Sequence, residues 1–84
     1  SEGHYRVKAI TEIDDFNEVI GANFSNDDYD TIGGLVLNKF GRLPNRHESV
    51  VIDNFKFTVQ QADSRRLHML RVEKVPETSN IEVE

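Results

Sequence analysis

The chain has 84 residues, no cysteine and a net charge of −5. That length allows one small domain and not two; the missing thiols exclude disulfide staples and thiolate chemistry, and no apolar run approaches the ~18 residues of a membrane span. Residues 1–41 carry Arg6, Lys8 and Lys39 against eight acids, whereas residues 42–84 balance seven bases with seven acids, the opposite of the basic bias that marks a nucleic-acid binder.

Tyr5–Ile10 alternates apolar and basic residues, which predicts a half-buried strand with Tyr5, Val7 and Ala9 on one face. Thr11 is placed to cap a first helix, with Asp14 at its third position. Ile13, Phe16 and Ile20 form its apolar face, and Gly21 is its left-handed stop. Ser25 is placed to cap a second helix, with Asp27 and Asp28 in the first turn against the macrodipole. Its core stripe is Tyr29, Ile32, Gly33, Val36 and Phe40; Lys39 suits its last turn, and Gly41 ends it before Pro44.

Val50 and Ile52 alternate with polar or solvent positions, Asp53-Asn54 supplies a two-residue hairpin turn, and Phe55, Phe57 and Val59 give the clearest period-2 run. A last strand over residues 66–75 switches the parity of its apolar positions between Met69 and Leu70, which predicts a bulge or burial on both faces. Residues 1–4 read as a linker, residues 5–75 as the domain and residues 76–84 as an acidic tail that frays or docks on a neighbour. The expected fold class is α+β, in the order strand-helix-helix-strand-strand-strand. Two helices then cover one face of a four-stranded, mainly antiparallel sheet.

Few residues invite chemistry. His4, His47 and His68 lack metal-ligand spacing. The run Asn26-Asp27-Asp28-Tyr29-Asp30 lacks the glycine and terminal glutamate of a calcium loop, and its acids serve as helix-start residues. No metal site is expected, and no nucleophile–base pair or carboxylate pair points to an enzyme. Gly33-Gly34 is the costliest feature, because a glycine in a helix interior loses roughly 1 kcal/mol against alanine. Close helix-to-sheet approach is the structural explanation, and close approach to a ligand or partner backbone is the functional one. Asp63-Ser64-Arg65-Arg66 reads as a turn in which Asp63 accepts from loop amides and one arginine pairs with the acidic run, with an anion or nucleotide site as the alternative.

Taken in order, Tyr5-Arg6-Val7-Lys8-Ala9, Ile13-Asp14-Asp15-Phe16-Asn17-Glu18, Asp30-Thr31-Ile32-Gly33-Gly34-Leu35-Val36, Phe40-Gly41-Arg42-Leu43-Pro44 and Ala62-Asp63-Ser64-Arg65-Arg66 resemble the CorC/HlyC transporter-associated domain. The resemblance spans about Tyr5 to Val75. It implies the C-terminal module of a larger magnesium and cobalt efflux or hemolysin-like protein, following a pair of CBS domains, often with a membrane-spanning region further upstream. It implies a non-enzymatic cytoplasmic domain that docks on those CBS domains or on a second copy of itself. The family fold also resembles a subdomain of FAD-dependent oxidases. The alternative is therefore FAD or adenine-nucleotide binding, with Gly33 and Gly34 beside the ligand and Arg65 or Arg66 at a phosphate. A third reading is divalent-cation sensing through Asp27, Asp28 and Asp30, with weak Mg²⁺ binding. His47 and Asn54 stand where the family commonly has glycine, and both residue types tolerate positive φ better than most.

Overall fold

Alternation along one strand and a 3.6-residue stripe on two helices bring the apolar residues to a common layer. The computed structural model describes residues 3–76. Its elements are β1 (His4–Lys8), α1 (Ile13–Ile20), α2 (Ile32–Phe40), β2 (Ser49–Ile52), β3 (Phe55–Ala62) and β4 (Leu67–Lys74). The strands form one sheet in the order β1-β4-β3-β2. Every pairing is antiparallel. The element order and the α+β class agree with the expectation from the sequence.

Phe55, Phe57 and Val59 of β3 are buried, as are Leu70 and Val72 of β4. They meet Ile13 and Phe16 from α1 and Ile32 and Val36 from α2. Phe24, in the connector between the helices, closes a group of four phenyl rings with Phe16, Phe55 and Phe57. The Asn17 side chain fixes that connector: its amide donates to the Phe24 carbonyl at 2.8 Å and its oxygen accepts from the Phe24 amide at 3.0 Å.

The parity switch in the last strand is a bulge. Val59 faces Leu70, then Gln61 faces Met69 and Ala62 faces Leu67, so Gln60 and His68 have no opposite residue. The extra residue in each strand lets Leu67 and Leu70 both reach the core. The β2–β3 turn has positive φ at Asp53 alone (57°), and among the described residues the other non-glycine residue in that region is His47 (79°). Of His47 and Asn54, where the resemblance implies glycine, only His47 has the left-handed conformation.

Both helix starts differ from the sequence reading. The cap position of α1 is Glu12, not Thr11, and no side chain bonds there. The cap of α2 is Thr31, not Ser25, with the Thr31 hydroxyl accepting from the Gly34 amide at 3.1 Å. The reason is a small antiparallel bridge between Glu12 and Thr31. Through it the Ile13 amide donates to Asp30 O and the Ile32 amide to Thr11 O, each at 2.9 Å. A bridge needs extended backbone at Thr31 (φ −120°, ψ 158°), so the helix cannot begin earlier. Asp27, Asp28 and Asp30 consequently lie in the connector, and the first turn of α2 holds no acid. The expected acidic tail lies outside the described residues.

Candidate functional site

Ala9 follows β1 directly and remains tied to the sheet, its amide donating to His68 O at 2.9 Å. Gly33, in the first turn of α2, presses on it: the Gly33 amide donates to Ala9 O at 2.8 Å. A Cβ on Gly33 would sit 2.8 Å from both Ala9 Cβ and Ala9 O. The first glycine therefore serves helix-to-sheet contact. A Cβ on Gly34 would instead meet Thr31 Oγ1 at 3.4 Å and Tyr29 Cβ at 3.7 Å, which is ordinary contact.

Beside this junction lies a cleft of about 260 Å³ lined by Ile10, Thr31, Gly33, Gly34, Leu37 and Arg66, with Ala9 and Leu67 completing it. Three of the four residues singled out from the sequence thus converge, namely Gly33, Gly34 and Arg66, while Arg65 does not line the cleft. Both glycine amides are already bonded, to Ala9 O and Thr31 Oγ1. What the cleft offers a visitor is mostly apolar wall, with Arg66 as its one charged lining residue. Ile10, which sequence reasoning placed merely as the end of a strand, is 69 % exposed at its edge. The signal in the sequence was its outward parity among basic neighbours.

Arg66 is positioned by a tight turn. Asp63 Oδ1 accepts from the Arg65 and Arg66 amides at 2.7 and 2.9 Å, and the Asp63 amide donates to Arg66 O at 3.0 Å. His68 Nε2 lies 2.7 Å from Asp63 Oδ2. The His68 hydrogen bond first, and then the two amides, hold the Asp63 carboxyl well below the usual carboxylate range. Asp63 accepts from loop amides as the sequence suggested. The expected ion pair from Arg65 or Arg66 to the acidic connector is absent among the described residues.

The acidic connector contributes Asn26 and Asp30 to a second depression of about 280 Å³, shared with Ile10, Glu12, Asp14 and Thr31. The Asn26 amide donates to both Asp14 oxygens, at 2.9 and 3.1 Å. Among the described residues no group of three or more His, Cys, Asp or Glu is placed to hold a metal ion.

A third feature is electrostatic. Glu48 accepts from both arms of Arg42 and, at 2.7 Å, from the Asn45 amide. The Arg42 hydrogen bond first, then the Asn45 amide, lower the Glu48 carboxyl to about 2. Its contribution is complete above the ordinary glutamate range and is lost as pH falls through about 2. Thermal unfolding of the parent should therefore decline on acidification across that window more than that of Glu48→Gln, which has no charge to lose there. Parallel declines would show the pair contributes nothing.

Two helices on one face of a four-stranded antiparallel sheet, with a cleft cut by adjacent glycines, define an α+β module. No polar or charged residue is fully buried among those described. Residues 1–76 match the family described as transporter associated domain, CorC_HlyC. The chain belongs to that family.

Over 75 residues it is 48% identical to the magnesium and cobalt efflux protein CorC of Escherichia coli K12, covering 89% of this chain and 25% of the relative. The CorC protein of Pasteurella multocida is 48% identical over 68 residues, 81% of this chain and 23% of the relative. The chain thus spans about a quarter of the length of the curated relatives it matches. Among solved structures, the Mg²⁺ and Co²⁺ transporter (CorC) associated region from Neisseria meningitidis superposes with a TM-score of 0.85 at 47% identity, covering 89% of this chain and 93% of that one. A CorC_HlyC domain from a Xylella fastidiosa hemolysin, solved in complex with Mg²⁺ and Mn²⁺, shares the fold with a TM-score of 0.79 at 22% identity and coverage of 90% and 92%. Among the described residues no helix is long and apolar enough to cross a membrane.

Proposed function

We propose that this chain is a non-enzymatic, cytoplasmic accessory domain of a larger magnesium and cobalt efflux protein, acting through contacts with the rest of that protein. The observation that supports this reading is the cleft beside Gly33, with exposed Ile10 at its edge and both glycine amides already bonded. An apolar edge with one arginine suits a protein surface better than a phosphate cradle, which needs free amides. The partner is the pair of CBS domains upstream in the parent protein, and the domain relays their state. The length of the CorC relatives supports such a parent.

An isotopically labelled domain, followed by amide shifts during titration, tests the reading. Addition of the CBS-domain pair should shift Ile10, Gly33, Leu37 and Arg66 saturably. Ile10→Glu should weaken that binding roughly tenfold. Saturable shifts of Gly33 and Arg66 with FAD or ADP, and none with the CBS pair, would move the assignment to a nucleotide module. Mg²⁺ is the remaining arm, suggested by the ions bound to the Xylella domain. Weak shifts confined to Asp14, Asn26 and Asp30 would leave the accessory reading intact and add a cation site to it.

A further inference from the structure

The helices cover one face of the sheet; among the described residues no element covers the other face, which carries Arg6 and Arg71. Strand alternation puts Arg6 of β1 outward, and register sets it opposite Arg71 of β4, which in turn faces Thr58 of β3. Arg46 and His47 come to the same place from the loop before β2. That loop is held against β3 by the His47 amide, which donates to Val59 O at 2.7 Å, and by the Val59 amide, which donates to Glu48 O at 2.9 Å. The left-handed backbone of His47 makes the bend.

The result is a depression of about 320 Å³ lined by Arg6, Arg46, His47, Thr58, Gln60, Gln61 and Arg71. Among the described residues no carboxylate lines it. A neighbouring depression of about 440 Å³ shares Arg6, Gln60 and Arg71. The guanidinium groups are poorly neutralised. Arg6 Nε donates to Gln60 Oε1 at 3.3 Å, a neutral partner. Arg46 has no hydrogen bond or ion pair among the described residues. Arg71 Nη2 lies 2.7 Å from His4 Nδ1 and 3.9 Å from Glu73 Oε1, but that carboxylate is itself 2.9 Å from His4 Nε2. In a chain of net charge −5, three arginines around one hollow are a local reversal of sign.

Guanidinium forks read phosphate oxygens bidentately, and a hydroxyl with two amides can complete the shell of a phosphoryl group. Two adjoining hollows that share Arg6 and Arg71 fit an anion longer than one phosphate. The larger number of acceptors on a polyphosphate matches three forks better than isolated carboxylates do. The first hollow has no Phe, Tyr or Trp and the second has Tyr5 alone, which is no platform for successive nucleic-acid bases.

We propose that this open sheet face binds a soluble polyphosphate anion, with Arg6, Arg46 and Arg71 gripping its phosphoryl groups. The site lies apart from the Gly33 cleft and does not rest on the accessory role. Calorimetric titration of the chain with inorganic triphosphate at physiological salt is the test. Saturable one-to-one binding is expected, weakened roughly tenfold by Arg46→Ala and by Arg71→Gln, while Arg66→Ala at the cleft leaves it unchanged. Arg46→Ala removes no hydrogen bond or ion pair among the described residues, and an unchanged melting temperature of the variant separates loss of binding from unfolding. The proposal is overturned if triphosphate gives no saturable heat, or if a hexaglutamate peptide binds equally well. It is overturned too if only phosphatidylserine vesicles bind, or if neither arginine variant changes the affinity.

Discussion

Gly33→Ala should destabilise the domain by about 2–4 kcal/mol, the sum of an overpacked contact and a weakened hydrogen bond. The new methyl would lie 2.8 Å from Ala9 Cβ and 2.8 Å from Ala9 O. Neither atom is the far end of a flexible side chain. Ala9 O already accepts the Gly33 amide, and the Ala9 amide is held by His68 O, so relief requires α2 to lift from the end of β1. Lifting it strains the Glu12–Thr31 bridge that joins the two helix starts. The neighbouring substitution should go the other way. A methyl on Gly34 finds only ordinary contacts at 3.4 to 3.8 Å, and replacing a helical glycine gains up to about 1 kcal/mol. Urea midpoints of the two variants should fall on opposite sides of the parent. Equal losses at both positions would show that the pair is kept for helix geometry and not for contact with Ala9.

These adjacent glycines also show what the sequence made legible. The expected helix-interior placement does not hold, because α2 begins at Ile32 and both glycines fall in its first turn, but the expected reason, close approach to the sheet, holds for Gly33. The period-2 run of Phe55, Phe57 and Val59 was legible because a half-buried strand has no other way to arrange its apolar residues. The parity switch at Met69 was legible as a break, and the pairing of Val59 with Leu70 shows where the extra residues fall. The helix start was not. Ser25, followed three residues later by Asp28, has better local capping chemistry than Thr31, which is followed by Ile32-Gly33-Gly34. The decision came from backbone hydrogen bonds between Thr11, Ile13, Asp30 and Ile32, two segments distant in sequence. Once the start moved, the acids lost their helix-dipole role.

The site divides along the same line. Convergence of Gly33, Gly34 and Arg66 depends on the start of α2 at Thr31 and the start of β4 at Leu67; only the second was legible in the sequence, and Arg65 is separated from Arg66 by the geometry of the Asp63 turn. The arginine face was hidden, because Arg6 and Arg71 lie at opposite ends of the chain. Charge counted along the sequence shows an acidic first half, whereas strand register gathers the bases of both halves on one surface.

Phe16→Ala should be the most damaging single change, costing about 3–5 kcal/mol. Phe16 is 1 % exposed, and its ring centroid lies 5.9 Å from Phe24, 6.2 Å from Phe55 and 5.9 Å from Phe57. Truncation therefore opens a void touched by three other rings and leaves each with lost contact area. α1 spans only Ile13–Ile20, and its two fully buried residues are Ile13 and Phe16. Half of its anchorage goes with the ring. The Asn17 clamp on Phe24 then holds a connector with little left to pack against. For a domain of this length each kcal/mol shifts the melting temperature by about 4–8 °C, so the midpoint should fall by at least roughly 12 °C. Hydrogen exchange should rise earliest in the amides of α1, with the central pair β3 and β4 retaining protection longest. Phe16→Leu, which refills most of the volume, should recover more than half of the loss. A Phe16→Ala variant melting within a few degrees of the parent would mean that α1 is held by its bridge to α2 and not by the aromatic core.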